Sequence, residues 1–256
     1  MSDIVRYERH DATAVITLNR PDSMNAFHTE LRAALLDAFE RARDDDAVRV
    51  VVFTGEGRCF SAGADLKAGI DRDVREILQS EYRPVQEAIA TISKPFIAAV
   101  PGSAAGIGMS MALQCDLVLM ADNAFLLSPF TTISLVPDGG LNWILVRQLG
   151  YRRAFQLSVE SERISAARCV ELGLANKVVP AEELQAAALE WAGTLAKRAP
   201  LSLAATKKVM RFAADNNWSD AYDMEADLQG ELLGTADNKE GIQAFLEKRA
   251  PEFKGK

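Results

Sequence analysis

Residues 95–120 read PFIAAVPGSAAGIGMSMALQCDLVLM, and the way this stretch divides decides the fold. From Pro95 to Cys115 it carries no charge, and its length matches a membrane span. Pro95, Pro101, Gly102, Gly106 and Gly108 would break a spanning helix at several points, however, and no comparable apolar segment flanks it. The division that respects those residues is a strand from Pro95 to Val100, a tight turn, a buried helix from about Gly106 to Gln114, and a strand from Leu117 to Met120. Short apolar runs of this kind are strands covered on both faces, and strand, helix, strand is a crossover unit of a parallel sheet.

The same reading extends in both directions. Val48 to Thr54 (VRVVVFT) is another β-branched run that ends in glycines. Before it, Leu31, Leu35, Ala38, Phe39 and Ala42 recur at helical spacing between about Thr29 and Asp44. Val5 to Arg9 and Ala14 to Asn19 flank His10-Asp11-Ala12 as a hairpin. A helical pattern also falls near Val74 to Ile92, so the fold class is α/β. Beyond Pro180 only helices follow, at Glu182 to Arg198, Leu201 to Asn217, Asp220 to Leu233 and Lys239 to Lys248. The expected organisation is a core over 1–199 and a helical region over 200–256, whose apolar stripes must pack on the core or on another subunit.

With 256 residues, 48% of them apolar and 25% charged, the chain buries a full core. Its net charge of −7 opposes polyanions, so nucleic acid is not the expected partner. Cys59, Cys115 and Cys169 are odd in number and set in apolar runs, which suits reduced thiols in a cytoplasm. No CxxC pair is present to hold zinc, and His10 and His28 have no partners at metal spacing. Asp3, Arg6, Glu8 and Arg9 leave no apolar core for a signal peptide.

Two glycine-containing loops carry the candidate chemistry. Gly55 to Lys67 (GEGRCFSAGADLK) follows the VRVVVFT strand; Phe60 stands where a dinucleotide fingerprint needs its third glycine, which leaves a loop of small residues, Ser61 to Ala64, able to present backbone N–H groups. An ordinary turn before a helix capped by Asp65 is the alternative. Val100 to Leu113 is a strand, a glycine-rich turn and a helix start, whose unsatisfied amides favour negative charge. It lacks the Gly-Lys-Ser/Thr of a phosphate loop. Gly108 to Ala112 nearly copies a serine-hydrolase elbow around Ser110, but the last glycine is missing and only His10 or His28 could act as base.

Asn19-Arg20-Pro21 with Asn25-Ala26-Phe27, FSAGADLK at 60–67, KPFIAAVPGSAAGIGMSMALQCD at 94–116 and ERISAARCVELGLANKVV at 162–179 occur in one order that resembles the enoyl-CoA hydratase/isomerase (crotonase) superfamily, from about Asn19 to the C-terminus. The resemblance implies a spiral of repeated ββα units with an all-helical C-terminal region that builds trimers, often paired into hexamers. It implies CoA thioester substrates, with CoA entering as part of the substrate and no separate cofactor. Carried over by position, the backbone amides of Ala64 and Ile107 form an oxyanion hole. Ala62, Ala64 and Leu66, with Asp65 between them, fall at the adenine pocket, and Ala26 and Lys67 near the nucleotide. Isoleucine at 107 replaces the family's usual glycine, which spares a backbone donor but narrows the acyl tunnel.

Hydratases of this family use two glutamates. Those positions are Ser110 and Phe130 here, and neither side chain moves a proton. A carboxylate stands instead at Asp138 in Val136-Pro137-Asp138-Gly139-Gly140, the position where isomerases resembling the phenylacetate-pathway branch keep a single catalytic aspartate. One carboxylate suffices for a double-bond shift, since it takes a proton from C2 and returns it to C4. The plain alternative is an N-cap for the helix beginning near Leu141. Phe130, Leu135, Val136 and Trp143 are expected to desolvate Asp138 and raise its pKa. Ser110, Phe130, Trp143 and the stretch Gly69 to Tyr82 are expected around the acyl group, while Tyr82 and Arg83 receive no role. The expected activity is a 3-enoyl to 2-enoyl shift; 2-enoyl-CoA hydration and a non-catalytic CoA-binding module are the other readings.

Overall fold

The computed structural model describes residues 4–68 and 72–256. Strands β1 (Val5–His10) and β2 (Thr13–Leu18) form the hairpin, and α1 (Thr29–Asp44) follows the turn that contains Met24 and Asn25. Then a unit repeats. A long strand enters one sheet, a short strand enters a second, and a helix closes the turn: β3 (Val50–Gly55), β4 (Cys59–Ser61) and the helical stretch 74–91; β5 (Phe96–Val100), β6 (Ser103–Ala105) and α4 (Ile107–Gln114). A third turn has β7 (Leu117–Ala121), β8 (Phe125–Leu127), α5 (Leu141–Leu149) and α6 (Tyr151–Glu160), and a partial fourth has β9 (Ile164–Ser165), α7 (Ala166–Glu171) and β10 (Lys177–Val179). The ββα spiral is thus present.

The first sheet runs β1-β2-β3-β5-β7-β10, parallel from β2 onward, and the second runs β4-β6-β8-β9. The expected boundaries of β3, β5 and α1 hold to within two residues, because long buried runs and a clear 3.6-residue stripe leave little latitude. Of the second sheet, β4 and β6 fall within the stretches expected as loop and turn, and β8 and β9 have no counterpart in the sequence reading. At two or three residues each they have no periodicity to detect, and only their pairing makes them strands. The 95–115 stretch divides into β5, β6 and α4, and among the described residues no helix is long and apolar enough to cross a membrane.

The single helix expected near 74–92 is three pieces: α2 (Val74–Ile77), a π-helical turn (Leu78–Tyr82) and α3 (Arg83–Thr91). Pro84 accounts for the break, since its ring and missing N–H do not fit a regular α turn. Such π turns recur at functional sites.

A chain of edge-to-face rings ties the layers together. Phe39 of α1 meets Phe53 of β3 at 5.3 Å and Phe96 of β5 at 5.1 Å, and Phe53 meets Phe60 of β4 at 4.9 Å. Each pair adds about 0.5–1.5 kcal/mol beyond the area it buries. Helix α8 (Leu184–Ala196) covers the other face of the first sheet with Ala188 and Ala192. The chain ends in α9 (Pro200–Ala213), α10 (Trp218–Leu232) and α11 (Ala236–Glu247), an all-helical region. Lys207 anchors it: the buried ammonium donates to the carbonyls of Ile89 (2.7 Å) and Lys94 (3.1 Å) and pairs with Asp116 (2.8 Å), which Arg211 also holds. Cys59, Cys115 and Cys169 are buried free thiols.

Asn25 fastens the hairpin end to the first ββ connection. Fully buried and left-handed at φ +54°, it accepts from Arg20 N (2.8 Å) and donates to the carbonyls of Glu56 (3.0 Å) and Cys59 (2.7 Å). Replacing it by alanine orphans all three groups and puts a poorly suited residue in a left-handed conformation. Asn25→Ala is expected to lower stability by about 2–4 kcal/mol in urea titration with an unchanged m value; a loss under about 1 kcal/mol would contradict this role.

Candidate active site

Strands β4 and β6 are parallel neighbours, with Cys59 opposite Ser103 and Ser61 opposite Ala104. Their C-terminal ends therefore lie side by side, and so do the segments leaving them, Ala62 to Asp65 and the start of α4. Gly63, at φ +97°, marks the contact. A methyl group there would stand 2.9 Å from the Ala105 carbonyl oxygen and 3.5 Å from the Ile107 nitrogen, so only glycine lets the two turns meet this closely.

The first turn is held from several sides. Phe27 N donates to Gly63 O (2.8 Å) and Asp65 N to Phe27 O (2.9 Å), which pairs Phe27 with Ala64 as a parallel bridge. Ala62 N donates to Met24 O (2.9 Å), and the Ser61 hydroxyl donates to Asn25 O (2.8 Å) while accepting from Gly63 N (3.1 Å). Arg20 reaches both Ala26 O (2.5 Å) and Asp65 Oδ2 (3.0 Å). Asp65 also accepts from Lys67 N (3.2 Å), so the local turn role proposed for it coexists with the ion pair. Ala26, Ala62, Ala64 and Asp65 are thereby gathered in one place. Leu66 and Lys67 project outward beside them, Leu66 at 64% exposure.

The second turn ends at Gly106, whose N–H donates to Leu127 O (3.0 Å) and whose carbonyl accepts from Met109 N and Ser110 N. Ile107 opens α4, so its N–H has no intrahelical partner. Among the described residues, no acceptor stands within hydrogen-bonding distance of the amide of Ala64 or of Ile107. Two uncommitted donors thus flank the β4/β6 junction.

The Asp138-Gly139 segment is held by three contacts, two of them to α4 at this junction. The buried Ser110 hydroxyl donates to Asp138 O (3.0 Å), and the Ile107 side chain packs so tightly on Gly139 that a Cβ there would lie 2.8 Å from Ile107 Cγ1. From α3, Gln86 Nε2 donates to Gly139 O (2.5 Å). The helix that follows is capped at Gly140 with no side-chain bond, so Asp138 is not its N-cap. Instead Asp138 Oδ1 is buried with no hydrogen-bond partner among the described residues. Burial pushes the carboxyl up to about 6, against a smaller lowering by its own backbone N–H. Ser110 has its hydroxyl committed to the Asp138 backbone, which disposes of the nucleophile reading.

The residues expected to desolvate Asp138 need correcting. Phe130 is buried, with its ring tip 3.8 Å from where a Gly106 side chain would sit. Leu135 is 53% exposed and Val136 71% exposed. Trp143 lies apart from the site: it lines a groove of about 510 Å³ between α5 and α9 with Arg147, Lys207 and Met210, and the Arg147 guanidinium covers its ring at 4.8 Å. Of the stretch 69–82, residues 69–71 lie outside the described residues. Arg83 is an exposed partner of Glu87.

Sequence reasoning passed over Arg32 and Gln86 and gave Tyr82 no role. The Arg32 side chain, 7% exposed, donates to Glu81 (Nε, 2.9 Å), Thr29 Oγ1 (3.1 Å), Phe27 O (3.3 Å) and the Tyr82 hydroxyl (3.1 Å). Phe27 O is the same carbonyl that pairs with the Ala64 bridge, so Arg32 supports the first turn from beneath. Burial and then the Asp138 charge raise the Tyr82 phenol above its ordinary pKa, opposed by Arg32. The available signal was the i, i+4 spacing of Tyr82 and Gln86 on one helix face.

The model of the family described as enoyl-CoA hydratase/isomerase matches residues 8–256. The chain is 40% identical over 254 residues to the "Probable enoyl-CoA hydratase" of Rhodobacter capsulatus, covering 98% of each, and 36% identical over 247 residues to the "1,2-epoxyphenylacetyl-CoA isomerase" of Escherichia coli, covering 94% of each. It superposes on the crystal structure of an enoyl-CoA hydratase from Polaromonas sp. JS666 with a TM-score of 0.93 and 38% identity, over 98% of this chain and 99% of that one. Sheet order, loop pairing and these matches agree: the chain belongs to the enoyl-CoA hydratase/isomerase (crotonase) family.

Proposed function

We propose that this enzyme shifts the double bond of an enoyl-CoA thioester from the 3- to the 2-position. The observation that carries the reading is Asp138: a half-buried carboxylate with a free oxygen, beside a pair of uncommitted amides, where Ser110 and Phe130 supply no ionisable group. The thioester oxygen would lie between the amides of Ala64 and Ile107. Deprotonation at C2 then moves negative charge onto that oxygen, and each donor in such a hole is worth about 3–4 kcal/mol of barrier. Asp138 would take the C2 proton and return it at C4 of the same dienolate, leaving the thioester conjugated. Ala26, Ala62, Leu66 and Lys67 would border the nucleotide end. Exposed Trp218, Leu233, Phe245 and Leu246 on the C-terminal helices form the face we assign to assembly as a trimer or a pair of trimers.

A second reading, hydration of a 2-enoyl-CoA, is favoured by the name of the 40% identical relative. It asks one carboxylate to serve where the family's hydratases use two.

The two parts of the site give separate outcomes. Gly63→Ala drives a methyl into the Ala105 carbonyl and separates the turns, so turnover of a 3-enoyl-CoA is expected to fall at least about 100-fold with the fold intact by circular dichroism, as for a lost oxyanion donor; undiminished turnover would contradict the paired amides. Asp138→Asn is expected to lose at least about 10³-fold in isomerisation, the scale of a positioned acid–base group. In the wild type, the base must be ionised, so kcat/KM should rise with pH through about 6 and level off above it. Full isomerase activity in Asp138→Asn, or crotonyl-CoA hydration exceeding isomerisation in the wild type, would reject the isomerase reading.

A further inference from the structure

Tyr82 is a buried phenol that the chemistry above does not use. Its residue is 5% exposed, its ring packs edge-on against Phe27 at 6.1 Å, and the Arg32 guanidinium lies over it at 4.5 Å. Arg32 also donates to its hydroxyl oxygen at 3.1 Å. An arginine only donates, so the phenol oxygen is the acceptor there and its own proton is not consumed. Among the described residues no acceptor for that proton is present. Tyr82 and Gln86 stand one turn apart on the same helix face, and Gln86 bonds Gly139 O, so this face is turned to the Asp138 loop. The Asp138 charge is felt at Tyr82. On that loop, Asp138 Oδ1 is an uncommitted acceptor. A buried polar atom left unpaired is costly, so a ligand oxygen that donates to Asp138 Oδ1 and accepts from the Tyr82 hydroxyl is favoured.

We propose that the Tyr82 hydroxyl and the Asp138 carboxylate seat a single hydroxyl-type oxygen, one that accepts from Tyr82 and donates to Asp138. Arg32 is the positioning residue that turns the phenol proton toward the site, and the Arg32–Glu81 pair, itself joined by Arg72, fixes Arg32. The oxygen has two sources: a hydroxyl on the acyl chain of a CoA thioester, or a water molecule that adds to C3 of a 2-enoyl-CoA while Asp138 passes its proton to C2. The first source makes oxygenated acyl groups the substrate class. The inference rests on the CoA thioester reading of the same site.

Calorimetric titration of the wild type with hexanoyl-CoA, 3-hydroxyhexanoyl-CoA and 4-hydroxyhexanoyl-CoA separates the cases. For an acyl hydroxyl, one hydroxylated thioester binds about 10-fold more tightly than hexanoyl-CoA, as one to two buried hydrogen bonds provide, and Tyr82→Phe erases the difference while binding hexanoyl-CoA. For water, 3-hydroxyhexanoyl-CoA, whose hydroxyl is that water once added to C3, is the preferred ligand and Tyr82→Phe also lowers crotonyl-CoA hydration at least about 10-fold, whereas an acyl-hydroxyl seat leaves hydration unchanged in the variant. Equal binding with unchanged hydration, or a hydroxyl preference that persists in Tyr82→Phe, would overturn the assignment. The wild-type comparison needs no variant to fold. Should none of the three thioesters bind, the CoA reading fails and takes this inference with it.

Discussion

The active site of this protein depends on the parallel pairing of two three-residue strands. Because β4 and β6 run side by side in the second sheet, the segments leaving them emerge together, and the amides of Ala64 and Ile107 inherit their proximity from backbone register. The arrangement is insensitive to most side chains, since the donors belong to the main chain. It is sensitive at Gly63, where the two turns touch. The ring chain Phe39, Phe53, Phe60 and Phe96, which ties α1 and the first sheet to β4 of the second, sets the spacing between successive units and so maintains that register.

Around this rigid junction the molecule retains groups that stability alone would not select. Asp138 is held half-buried with an oxygen unpaired, which disfavours its charged form and lifts its pKa to about 6. The folded state therefore binds that proton more tightly than the unfolded chain does. The stability it contributes is complete below about pH 4 and is lost as pH rises through about 6, the range in which the carboxylate becomes a useful base. Arg32 has the opposite character, with its donors satisfied by Glu81, Thr29, Tyr82 and Phe27 O. A fully bonded buried guanidinium beneath one turn and a carboxylate with an unpaired oxygen beside the other suit the division of work that the proposed isomerisation needs, one fixing position and the other exchanging a proton.

Much of this was legible in the chain. The long strands and α1 announced themselves through β-branched runs and a heptad-like stripe, and the order of four motifs pointed to the family before any coordinates. Ala64, Ile107 and Asp138 were singled out through that resemblance; the glycine-containing turns by themselves pointed only to loops whose backbone N–H groups could hold negative charge. The short strands could not, because two or three residues hold no period and their identity lies in partners 40 residues away. Trp143, Leu135 and Val136 were misplaced because an apolar residue near a site in sequence says nothing about which helix face or loop side it occupies. Arg32 was missed and Tyr82 left without a role for a related reason: their partnership joins α1 to the π turn, and only the tertiary structure brings them together.

The account stands on two amides gripping one oxygen. A crystal structure with bound hexanoyl-CoA tests this directly: the thioester oxygen should lie about 2.7–3.1 Å from the nitrogens of both Ala64 and Ile107, with C2 facing the Asp138 carboxylate. A thioester oxygen that meets only one of those nitrogens, or neither, would contradict it.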